Sequence, residues 1–190
     1  MTWLALGLAL FLGMHMTRAL APNWRDAQIA RLGDKAWKGI YTLVSLVGFG
    51  LILWGFSQAR QQPIVLWPRI PGISHATAAL MLVATILLAA AYVPRNHLKA
   101  RLQHPMTLSV KVWALAHLIA NNTLADVMLF GSFLVWSVLV FRAARRRAAP
   151  VIAAPTAAGT VAAIVAGVAL WAVIALWLHA VWLGVAPLGR

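Results

Sequence analysis

Six histidines, His15, His75, His97, His104, His117 and His179, are the residues of this chain whose types and positions best suit chemistry. Two of them, His15 and His117, lie inside long apolar runs. An ionisable side chain at membrane depth is costly, so by default it marks a functional site with a partner nearby. His15 closes the first apolar run. His117 stands near the middle of the helix that follows a basic turn in RLQHPMTLSVKVWALAHLIANN, residues 101–122. At about 1.5 Å per residue, His15 lies about 7 Å in from one end of its helix and His117 about 15 Å in along its own. Helix tilt would let the two approach across a helix interface. A zinc or di-iron site takes three or four ligands, usually with carboxylates among them. The chain has only three acids, Asp26, Asp34 and Asp126, and we place none of them inside a span. A haem brings four ring nitrogens of its own and needs one or two axial ligands from protein. Two imidazoles in an acid-free bundle therefore point to haem before a bare divalent metal. The competing reading is that buried imidazoles bond to backbone or Asn and steady the bundle.

Other residues group around this pair. Arg18, Lys111 and Arg101 lie toward the same ends of the helices and are candidate partners for haem propionates. Trp113 is one turn before His117 on the same face, where it either walls a flat ligand or packs in the core. His104 precedes Pro105, an ordinary first-turn pattern that is also a secondary site candidate. Asn121, another secondary candidate, reads with Asn122 as the cap that ends this helix. Thr123 and Asp126 compete to cap the next one.

These residues need elements to hold them. Apolar runs predict helices over Trp3–Leu20, Gly39–Phe56, Ile73–Val93, Met106–Asn121, Leu124–Phe141 and Ala157–Val185. The first run lacks the basic start and cleavage site of a secretory signal, so it is expected to be retained. Trp24–Trp37 spaces its apolar residues roughly helically and is expected to lie along the membrane interface. Gly48, Gly50 and Gly55 in the second run favour close approach by a neighbouring helix. The linker SQARQQPIVLWPRIPG breaks helix at Pro63, Pro68 and Pro71. Loops after the first, third and fifth runs are basic and those after the second and fourth are not. The positive-inside rule then gives six spans with both termini on the non-cytoplasmic side. The expected fold is an all-α polytopic transmembrane bundle, one domain over residues 1–190, with a basic then Ala/Pro-rich linker at 146–156.

Composition narrows the function classes. The 190 residues are 63% hydrophobic and 10% charged, with a mean hydropathy of +0.84. Soluble domains carry about 25% charged residues. A net charge of +13 would suggest nucleic acid in a soluble protein. Here the basic residues fall between apolar runs, no nucleic-acid module is present, and membrane lipid is the expected partner. The absence of cysteine removes disulfides, iron–sulfur clusters, thiolate-ligated haem and Cys nucleophiles. No GxSxG, P-loop, GxGxxG or HExxH pattern is present, which leaves hydrolase, ATPase and soluble dinucleotide readings without support.

Three stretches resemble one known family. GLALFLGMHMTRALAPNWRDAQIARLGDKAWKGIYTLVSLVGFGLILWGF, YVPRNHLKARLQHPMTLSVKVWALAHLIANNTLADVMLFGSFLVW and LWLHAVWLGVAPL are similar to the NnrU family of bacterial inner-membrane proteins. That resemblance implies a role in nitrite and nitric oxide metabolism, with nitric oxide or denitrification enzymes as partners. It also links the chain to the plant 15-cis-zeta-carotene isomerases, membrane haem b enzymes that isomerise a polyene. By that likeness haem b would be held by His15, in GMHMTR, and His117, in WALAH, and a hydrophobic polyene would be a substrate. The plant enzymes have a Cys three residues before the second ligand, where this chain has Ala114. Two further expectations stand beside these. One is a non-enzymatic accessory or assembly factor for nitrite or nitric oxide reductase. The other follows from QHP, which is similar to the RHP motif of membrane S-adenosylmethionine-dependent methyltransferases, although their paired acids are replaced here by Arg145, Arg146 and Arg147.

Overall fold

The computed structural model describes residues 1–150 and 152–188; Val151, within the 146–156 linker, lies outside them. The helices are α1 (Thr2–Leu20), α2 (Pro22–Leu32), α3 (Asp34–Gln61), α4 (Ile73–Tyr92), α5 (His97–Leu102), α6 (Pro105–Ala120), α7 (Leu124–Arg145) and α8 (Ala157–Leu183). The stretch Ile174–Leu178 of α8 is wound as a π-helix. Helices α1, α3, α4, α7 and α8 are long and apolar enough to cross a membrane. The 16 residues of α6 span about 24 Å, short of the roughly 30 Å hydrocarbon core. The fold is all-α, as expected. Among the described residues the only β pairing is a single bridge between Val65 and Thr123.

Four local expectations are corrected. Helical order does not run unbroken from Trp24 to Trp37. Gly33, at φ +84°, ends α2, and Trp37 belongs to α3, where it is buried and meets Trp24 edge-on at 5.8 Å. The second span is longer than Gly39–Phe56, because polar flanks at both ends remain helical. Asp34 sits in its first turn, where negative charge suits the helix dipole, and pairs with Lys38 at i+4. Asp126 is inside α7, in its first turn. Thr123 and Asp126 cap that helix together: the carboxylate accepts from Thr123 N–H, and the Thr123 hydroxyl accepts from Asp126 N–H. Finally, α5 is a helix where only a basic loop was expected.

The chain divides into two compact units. The first comprises residues 1–68 and 122–143. Its α1 and α3 run antiparallel with glycines at their contacts. A Cβ on Gly7 would fall 2.6 Å from Ile52 N, one on Gly48 would fall 2.7 Å from Phe11 N, and one on Gly55 would collide with Leu4 N. No side chain fits there, so the backbones touch directly. Helix α7 joins through rings, Phe133 against Phe11 at 6.0 Å and Phe130 against Phe56 at 6.5 Å. The Pro-rich linker bonds to the start of α7: Leu66 N–H donates to Asn122 O, Leu124 N–H to Ile64 O, and Asn122 Nδ2 to Trp67 O.

The second unit comprises residues 69–121 and 144–190. Here α4 packs against α6 and α8. Ser109 Oγ of α6 donates to Ala84 O at 2.7 Å, and Trp171 Nε1 of α8 donates to Ala78 O at 2.9 Å. Gly167 lies against the backbone of Ile86. Asn96 is fully buried and joins α4 to α5. Its Nδ2 donates to Ala90 O and Val93 O, while its Oδ1 accepts from Lys99 N–H as the cap of α5.

The glycine contacts give a paired prediction. Gly48→Ala places a methyl against backbone and should cost about 1–3 kcal/mol. Gly50→Ala meets open space and should stabilise the helix by roughly 0.5–1 kcal/mol. Thermal unfolding of the two variants in detergent, followed by circular dichroism, would contradict this contact if their order were reversed.

Candidate functional site

His15 lies in the last two turns of α1, and three elements of the first unit surround it. Phe11, one turn earlier on α1, stacks on it at 4.2 Å with the planes 30° apart. Tyr41 of α3 lies at 5.2 Å and Trp136 of α7 at 6.4 Å, edge-on. The imidazole Nδ1 is 2.7 Å from Phe11 O. A carbonyl can only accept, so Nδ1 carries the proton, and in the neutral ring the lone pair sits on Nε2. Metal-binding histidines are oriented in this way, by a backbone or carboxylate acceptor on the other nitrogen.

Two buried polar atoms of the first unit have no hydrogen-bond partner among the described residues: Trp136 Nε1, on the ring that stands edge-on to His15, and Ser45 Oγ. Ser45 is one turn beyond Tyr41 on α3. Continuing the antiparallel register of Leu4 with Gly55 and Phe11 with Gly48 puts Ser45 about level with His15. A buried donor left unsatisfied costs about 1–3 kcal/mol, so Trp136 Nε1, on a ring next to His15, is a group in need of a polar partner.

His117 repeats the arrangement in the second unit. Its Nδ1 is 2.9 Å from Trp113 O, and the Trp113 ring lies 5.3 Å away at 47°. Each of these histidines thus has an aromatic residue four positions earlier that supplies both a stacking ring and the carbonyl acceptor. Asn121 Nδ2 donates to His117 O at 2.9 Å and ends α6, the capping role read from the sequence.

The remaining candidates sit as follows. Arg18 is exposed, one turn beyond His15 in the last turn of α1. Lys111 is six residues before His117, about 120° around α6, and so is off the His117 face. Arg101 is exposed on α5. His75 is exposed at the start of α4, His97 shares a 2.8 Å contact with the Thr160 hydroxyl, and His179 Nδ1 lies 2.7 Å from Val185 O. Among the described residues no three of His, Asp or Glu come together. A groove of about 430 Å³ runs along α1 and α7, lined by Ala5, Ala9, Leu12, Gly13, Met128 and Ser132 among others. His15 does not line it.

His104 belongs to a second cluster. Gln103, at φ +64° and ψ −40°, turns the chain so tightly that His104 N–H donates to Leu102 O at 2.7 Å. This γ-turn with positive φ is rare and costs about 1–3 kcal/mol. The Gln103 Oε1 accepts from Arg145 Nη1 at 2.8 Å. Burial, then the charges of Arg145 and Arg147, hold the His104 pKa below the usual 6.5, against a hydrogen bond to the Ala144 carbonyl that raises it.

A family model described as NnrU protein matches residues 3–187. The chain belongs to the NnrU family. No curated protein and no solved structure matches it. Both histidine arrangements and the His104 cluster therefore lie within the family region. Sequence reading had found the histidines of this NnrU chain and Trp113. It missed Phe11, Tyr41, Trp136 and Asn96, although the shared aromatic-x-x-x-His spacing was there to be read.

A pH prediction follows for His104. Because its folded pKa is lowered, the unfolded chain binds the proton more readily. The stability His104 contributes is fully present above pH 6.5 and is lost as pH falls through the lowered value. The melting temperature in zwitterionic detergent should fall between pH 7 and pH 5. In Arg145→Gln/Arg147→Gln the folded His104 pKa should lie closer to 6.5, so the fall should end at a higher pH and be smaller, and a fall identical to wild type would contradict the assignment.

Proposed function

We propose that this NnrU protein resides in the bacterial inner membrane and binds haem b through His15 and His117, serving redox or gas-ligand chemistry of nitrogen oxides. The observation that carries the reading is the shared presentation of the two imidazoles. Each holds its Nδ1 proton on the carbonyl four residues earlier, which leaves the Nε2 lone pair as the ligating position. Haem b supplies an iron that exchanges one electron and takes up diatomic ligands such as nitric oxide. The chain's own contribution is to fix two tautomers and to flank each imidazole with an aromatic plane.

The residues around His15 fit such a group. Phe11, Tyr41 and Trp136 give flat apolar contact, and Trp136 Nε1 is a polar atom in need of a partner. Arg18, one turn on and exposed, suits a propionate. Lys111 suits one less well, because it is off the His117 face. The plant isomerase chemistry is a weaker model for this chain, because Ala114 stands where that family has its cysteine.

Absorption spectra of the detergent-purified protein, oxidised and dithionite-reduced, test the reading beside His15→Ala and His117→Ala. The expected result is a Soret band with reduced b-type bands, lost or shifted in both variants. A change in only one variant would leave a single axial histidine. A folded protein from haem-replete cells without a Soret band would overturn the proposal and put the accessory-factor reading first.

A further inference from the structure

We propose that the Gln103–His104 turn and the tail of α7 form a binding site for the phosphate group of an anionic phospholipid. This inference is independent of the haem reading. The second unit holds nine of the sixteen Lys and Arg residues and none of the three acids. Around the turn, same-sign groups are brought together instead of being kept apart. Arg145 and Arg147 lie close enough to His104 to disfavour its proton, and Arg145 is held there by the neutral amide of Gln103. An amide positions a guanidinium and leaves its full charge in place. The γ-turn at Gln103 is strained, and it is the element that orients this cluster.

The surroundings select a lipid over soluble phosphate. The cluster lies where α6 begins and just beyond the end of α4. Two side chains at those helix ends are exposed and apolar, Tyr92 at 70% and Met106 at 44%. A headgroup phosphate on Arg145, Arg147 and protonated His104 would lay its acyl chains over these residues. Free phosphate would use the cationic groups and leave the apolar surface uncovered. Clustered Lys and Arg beside a transmembrane helix is the general pattern of anionic-lipid recognition.

The test uses the full chain, with histidines labelled for NMR, in phosphatidylcholine nanodiscs containing a few mole per cent phosphatidylglycerol. His97, exposed on the neighbouring helix α5, is the internal control for the general surface potential. The expected result is a saturable rise in the His104 pKa that exceeds the rise at His97 and vanishes in Arg145→Gln/Arg147→Gln. No rise, or equal rises at the two histidines, would overturn the site. An equal His104 rise with inorganic phosphate in pure phosphatidylcholine nanodiscs would overturn the lipid assignment. Should the double variant fail to fold, Gln103→Ala takes its place, with native mass spectrometry as the readout. Wild type should then retain phosphatidylglycerol about tenfold or more over phosphatidylcholine, and undiminished retention in that variant would overturn the proposal.

Discussion

Backbone carbonyl oxygens are the acceptors on which nearly every polar side chain of these helices depends. A carbonyl has two lone pairs, so one already engaged in a helix can accept a second hydrogen bond from a side chain. Thr17, Thr77, Thr85 and Ser137 return hydroxyls to their own helices, while Ser109 and Trp171 reach across to α4. Lys99 Nζ ends on Ala91 O. In apolar surroundings an unsatisfied polar group costs several kcal/mol, and a chain with three acids has few carboxylates to offer. The same constraint sets the histidine chemistry. With a carbonyl accepting from Nδ1, the tautomer of each ring is fixed without a buried negative charge.

The two units solve the packing problem differently. In the first, Gly7, Gly48 and Gly55 let α1 and α3 meet backbone to backbone. That contact positions the carbonyl and ring of Phe11, and through them His15. In the second, side-chain-to-carbonyl bonds from Ser109 and Trp171 tie α6 and α8 to α4, and Asn96 closes the α4–α5 junction. Charge is also divided unequally. The first unit contains all three acids, two of them in ion pairs with Arg25 and Lys38. The second has none of the acidic side chains and has its strained residues, Arg95 and Gln103, at either end of its shortest helix.

Hydropathy made the spans legible, because runs such as Ile73–Val93 and Leu124–Phe141 differ little from helices α4 and α7. His15 and His117 were legible as ionisable groups in apolar runs. What was not legible depends on three-dimensional neighbours. Tyr41 and Trp136 come to His15 from helices 26 and 121 residues further along the chain, and no local pattern announces such meetings. The break at Gly33 was hidden because apolar spacing continues through it, and only a positive φ interrupts the helix. Helix α5 was hidden by its length: six residues carry too little periodicity to distinguish a helix from a basic loop.

Ala114 limits what the candidate haem ligands can do. It lies three residues before His117 on α6 and is fully buried. In the plant isomerases this place belongs to a cysteine. A methyl group has no lone pair, and no cysteine elsewhere can substitute. On the haem reading, His15 and His117 would therefore hold the group by imidazole alone. The Nδ1 bonds to Phe11 O and Trp113 O resist rotation of either ring away from its place.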